Sequence, residues 1–157
     1  MDAHRLNESM VEVATAKAWD AKRHYASGIS IACDTVVTLN NLIFGKPINR
    51  THAREILYEL SGQTHLVRSA LVLTNLQSEQ RVFGVEESAV TFRTLHPDEI
   101  ERYLDSPEPY DKAGAYAIQG AASVFVERIS GCLTNIIGFP VSLFLELKQA
   151  IERTHSS

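Results

Sequence analysis

Asp34 stands directly after the apolar run Ile29-Ser30-Ile31-Ala32-Cys33 and before the β-branched run 35–39. A carboxylate at the end of a buried strand is partly withdrawn from water, which suits a general base or a cation ligand. A turn aspartate is the plainer alternative, because turns after strands commonly use Asp. Lys46 lies between Gly45 and Pro47, on a stiff loop that permits close approach and offers one ammonium to a phosphate; the alternative is a solvated loop lysine. It is no Walker A loop, which needs a glycine-rich run before the lysine and Ser or Thr after it. In the stretch 108–120 (EPYDKAGAYAIQG), small residues surround Lys112 and Gln119. The lysine can neutralise phosphate, and the glutamine amide can both donate to and accept from a base edge. That stretch can also be read as an irregular connector carrying a surface ion pair. His65, in SGQTH (61–65), is either catalytic or a structural hydrogen-bonder where a strand begins. No GxSxG, HExxH or GxGxxG pattern occurs, and Cys33 and Cys132 belong to no zinc-like run.

These residues need elements to hold them. Residues 6–25 read as a helix with Leu6, Met10, Val13, Ala14 and Lys17 at helical spacing. Strands are expected at 29–33 and 35–39, interrupted by Asp34, with a turn at Asn40-Asn41 before Leu42, Ile43 and Phe44. Ala53, Ile56, Leu57 and Leu60 mark one face of a second helix, with Gly62 suited to a left-handed position just beyond it. Residues 64–74 and 81–95 read as a hairpin, and Pro97 opens a short helix with Ile100, Tyr103 and Leu104 on one side. Residues 106–120 read as mostly loop and 122–129 as a strand. Pro140 opens a last helix with the stripe Leu143, Phe144, Leu147, Ala150 and Ile151. The order matches neither a regular βαβ alternation nor segregated blocks, so the expectation is α/β, a mixed sheet with helices on its faces.

The 157 residues suit a single domain over 1–157, long enough to bury a core without disulfide or metal staples. The net charge of −4 argues against a non-specific binder of nucleic acid or of an anionic membrane, both of which favour a basic excess. No stretch approaches the roughly 20 apolar residues of a membrane span. MDAHRLNESM has no apolar signal core, so a cytoplasmic location with reduced cysteines is expected.

The motifs CDTVV (33–37), GKP (45–47), LSGQTH (60–65), EPYDKAGAYAIQG (108–120), FVERISG (125–131) and NIIGFP (135–140) together resemble the Maf family, in its order and spacing. The resemblance implies a bent mixed sheet with two lobes and a cleft, similar to inosine triphosphatases. It implies cleavage between the α and β phosphates of a nucleoside triphosphate, a divalent cation (Mg²⁺ or Mn²⁺), and homodimers. Asp34 matches the family's catalytic base, with a metal-ligand role equally open. Lys46 and Lys112 match lysines facing the triphosphate. Thr35 and Gln119 match positions that separate the dTTP/UTP subgroup from the 7-methyl-GTP subgroup, and here both favour pyrimidines. Family members begin with a strand and a Ser-x-Ser-Pro-x-Arg loop; the chain is expected to be N-terminally shortened relative to them. That departure leaves open an alternative, a catalytically weak nucleotide-binding regulator of cell division.

Overall fold

The computed structural model describes residues 3–40 and 42–153. Among the described residues five α-helices and five strands alternate irregularly: α1 (Ala3–Asp20), β1 (Ile29–Leu39), β2 (Leu42–Phe44), α2 (Arg50–Leu60), β3 (Thr64–Asn75), β4 (Arg81–Phe92), α3 (Pro97–Leu104), β5 (Val126–Ser130), α4 (Leu133–Ile137) and α5 (Val141–Arg153). The strands form one sheet in the order β2-β1-β3-β4-β5, giving the α/β class expected. β1 pairs antiparallel with β2 through Val37, Thr38 and Leu39, and β4 pairs antiparallel with β5. Asn41 of the expected turn lies outside the described residues, while Asn40 takes a left-handed φ of 54°. Among the described residues no helix is long and apolar enough to cross a membrane.

Contacts group the chain into two compact units, with boundaries inside β1, β3 and β4. The first comprises the described parts of 1–35, 69–86 and 138–157. Its α1 buries Leu6, Met10, Ala14 and Ala18, a strict i, i+4 ridge whose two alanines allow close approach. Val13 and Lys17, expected on that stripe, are exposed instead. The same unit has a small core of Leu71, Leu73 and Ile151, against which Leu143, Phe144 and Leu147 of α5 pack as their spacing predicts.

The second unit, 36–68 with 87–137, holds the larger core. α2 starts where the Asn49 side chain accepts from His52 N at 2.8 Å, and it buries Ala53, Ile56, Leu57 and Leu60. Gly62 beyond it has φ 69°. α3 starts with a reciprocal box: the His96 ring accepts from Asp98 N while the Glu99 carboxylate accepts from His96 N at 2.9 Å. Ile100, Tyr103 and Leu104 are its buried side.

His65 is fully buried in this core, which removes its catalytic reading and leaves the structural one. Its Nε2 lies 2.8 Å from the Tyr116 hydroxyl, Nδ1 has no partner among the described residues, and the ring stands edge-on to Phe92 at 4.9 Å. Burial pushes its pKa from 6.5 down to about 4. The unfolded chain therefore takes up this proton at a higher pH than the folded one. The stability due to a neutral His65 is complete above pH 6.5 and drains as pH falls toward 4, by up to about 3 kcal/mol. Urea unfolding between pH 7.5 and 4 should show that loss, and His65→Gln, which cannot titrate there, should flatten it.

Three local expectations need correction. β1 is one continuous 11-residue strand, so Asp34 lies within it and not at its end. Residues 106–120, expected to be mostly loop, hold 3-10 turns at Glu108–Asp111 and Ala113–Ala115. The strand expected from 122 begins only at Val126, because Ala121–Phe125 coils into a 3-10 turn whose first amides are held by the Glu108 carboxylate. Alternation alone does not register that hydrogen bonding.

Candidate active site

In the first unit, Asp34 projects from β1 with its side chain 19% exposed, and Lys17 from the last turn of α1 donates to its Oδ1 at 2.6 Å. Among the described residues no hydrogen bond reaches the other carboxylate oxygen. A half-exposed ion pair of this kind contributes about 0–1 kcal/mol to stability, so the contact fixes the carboxylate's orientation more than it holds the fold. Lys17 was legible only as one position of a helical pattern. The signal that could have singled it out is its setting, Ala14-Thr15-Ala16-Lys17-Ala18, where small neighbours leave a long cation unobstructed.

Thr35 is held as well: its hydroxyl lies 2.8 Å from that of fully buried Ser69 on β3. The Cys33 thiol donates to Gly138 O at 3.4 Å, and burial raises its pKa. A buried thiol kept protonated is a poor nucleophile, so Cys33 belongs to the packing.

In the second unit, the Gly45-Lys46-Pro47 loop and the 108–120 segment are tied together. Gly114 N donates to Gly45 O at 3.1 Å, and Ala115 N to Lys112 O at 3.1 Å. The tie requires small residues. Gly114 has φ 72°, and a Cβ on it would meet Val37 Cγ2 at 2.8 Å; Ala115 also has positive φ, 60°. This packing brings Lys46 and Lys112 onto one carboxylate, Asp111, at 2.7 and 3.3 Å. The Lys46 ammonium first, then that of Lys112, holds the Asp111 carboxyl below the usual carboxylate range. Two ammonium groups sharing one exposed carboxylate keep a net positive charge. Such a pair can also bind a phosphate, which carries more charge than a carboxylate. The role of Asp111 as shared counter-ion escaped the sequence reading. Gln119 is exposed, and among the described residues its amide has no hydrogen-bond partner.

The structure therefore groups Asp34 with Thr35 in one unit, and Lys46, Lys112 and Gln119 in the other. A carboxylate oriented by a lysine can accept a proton from water or hold a cation; a lysine pair can hold a phosphate chain.

Comparison with known proteins shows the family. The family model described as Maf-like protein matches residues 2–151. A dTTP/UTP pyrophosphatase of Desulforamulus reducens is 44% identical over 115 residues, covering 73% of this chain and 60% of that protein. A dTTP/UTP pyrophosphatase of Fusobacterium nucleatum is 41% identical over 145 residues, 92% of this chain and 76% of the relative. One from Pyrococcus furiosus is 39% identical over 140 residues, covering 89% and 73%. With the match running along nearly its whole length, the chain belongs to the Maf family.

Proposed function

We propose that the chain is a nucleoside triphosphate pyrophosphatase that hydrolyses dTTP and UTP to the monophosphate and pyrophosphate. Several relatives 36–44% identical carry the name dTTP/UTP pyrophosphatase, and that likeness is the observation that carries the reading. The lysine pair at Asp111 supports it physically. A triphosphate bears about four negative charges that repel an attacking water, and ammonium groups aimed at it lower that barrier. In this reading Lys46 and Lys112 neutralise the phosphate chain. Asp34 accepts the proton of the water as its oxygen bonds to the α-phosphorus and the α–β anhydride bond breaks, with Lys17 orienting the carboxylate. Thr35 and Gln119 contact the nucleotide and favour uracil and thymine.

A divalent cation fits this donor set in one way. Among the described residues no three His, Cys, Asp or Glu side chains form a cage; in this reading Asp34 would be a carboxylate ligand of Mg²⁺ or Mn²⁺. Phosphates and water would complete the shell, as Mg²⁺ commonly allows. When bound, such a cation supplies Lewis-acid polarisation of a phosphoryl oxygen. A cytoplasmic homodimer belongs to the same reading. The regulator of cell division has no observation of its own in its favour.

The test is pyrophosphate release by the purified chain from dTTP, UTP, CTP, GTP and 7-methyl-GTP, with Mg²⁺ or Mn²⁺. Turnover of dTTP and UTP at least about tenfold above the purine nucleotides is expected, a margin that base-edge hydrogen bonding readily supplies. Faster purine turnover would overturn the substrate assignment.

A further inference from the structure

Glu108 opens the segment that carries Lys112 and Gln119, yet its side chain reaches that segment's far end. Its Oε2 accepts from Ala121 N at 3.1 Å, and its Oε1 from Ala122 N at 3.4 Å and from the Tyr103 hydroxyl at 2.9 Å. The carboxylate lies over Gly120, where a Cβ would meet Oε2 at 1.9 Å. Gly120 has a negative φ of −102°, so what glycine supplies there is the space its missing side chain leaves, and not a left-handed backbone. Two backbone bonds close the turn around it: Gly120 N to Ala117 O at 3.0 Å and Ser123 N to Gly120 O at 3.1 Å. Tyr103 is in turn anchored in the core, its ring 5.2 Å from that of Phe125. Burial raises the pKa of its hydroxyl, which therefore remains a donor. Gln119, one residue before Gly120, is the exposed tip of a turn clamped from both ends of its own segment.

We infer that Glu108 is a positioning residue for base discrimination: by clamping the backbone at Gly120–Ala122 it aims the Gln119 amide at the base of a pyrimidine nucleotide. The inference rests on the dTTP/UTP reading. A carboxylate suits the task because it is acceptor-only, and each of its bonds to N–H or O–H is charge-assisted. An amide in the same place has one acceptor oxygen, and its NH₂ would face either Ala121 N–H, or Ala122 N–H together with the Tyr103 hydroxyl. One end of the clamp would then be left unmatched.

The experiment compares dTTP with dCTP, which differ only in the base, as substrates of the wild type, Glu108→Gln and Gly120→Ala. The second variant reaches the same clamp from the other side, since its methyl must drive the carboxylate away. Both variants should lose about tenfold of the dTTP-over-dCTP preference in kcat/KM. The loss should come from a raised KM for dTTP, with kcat changing less than about twofold. A purely structural role would lower both substrates alike, so an unchanged preference in folded variants overturns the inference. Equilibrium binding of the α,β-methylene analogues of the two nucleotides is measured in parallel. Absence of wild-type turnover defeats the pyrophosphatase reading, while the binding preference still reports on Glu108. A wild type that shows no base preference in either assay overturns the inference too.

Discussion

Asp34→Asn should lower pyrophosphate release from dTTP by about 10²- to 10⁴-fold, the range removed with a general base, while the protein stays folded. Asparagine has nearly the same shape but neither accepts a proton from water nor carries the charge that holds a cation. The fold should tolerate it. Among the described residues the only side-chain bond Asp34 makes is to Lys17, whose side chain is 52% exposed, and such pairs contribute at most about 1 kcal/mol. A melting curve beside the rate assay separates the two effects. An unaltered rate in a folded Asp34→Asn protein would remove Asp34 from the chemistry, whatever its neighbours do.

Lys46→Met should cost about 10²-fold in kcat/KM for dTTP, the usual loss when one preorganised charge facing a developing oxyanion is removed. Methionine keeps much of the aliphatic length, so the loop tied by Gly114 N to Gly45 O should persist. Lys112→Met should act in the same direction. Because the two ammonium groups share Asp111, their losses should not add independently: the lysine that remains would pair with Asp111 alone and its charge would be locally cancelled. Steady-state kinetics of the two single variants and the double variant read this coupling. Single variants at the wild-type kcat/KM would exclude the lysine pair from phosphate binding.

Much of the candidate site was legible without coordinates, because its signals are local. Lys46 between glycine and proline, and Lys112 and Gln119 among small residues, stand out by type and neighbourhood. The helices were legible for the same reason. Apolar spacing marks the buried faces of α2 and α3, and Pro97 marks where α3 begins. Six short motifs in register also placed the chain in its family, and the family model spans residues 2–151.

What only tertiary structure decided are the partners, because these residues meet across sequence separations that no periodicity encodes. Lys17 finds Asp34 from a helix that reads as ordinary, and β1 runs on through a carboxylate expected at a strand's end. Ser69 finds Thr35 from β3. Lys46 and Asp111 meet because Gly114 can pack its bare backbone on Val37, a contact open only to a residue without a side chain. Glu108 turns Ala121–Phe125 away from the strand that alternation suggested, since a carboxylate accepting two backbone amides satisfies them where a sheet neighbour otherwise would. Residue type and local pattern thus marked the candidate groups, and long-range packing and hydrogen bonding determined which group each one meets.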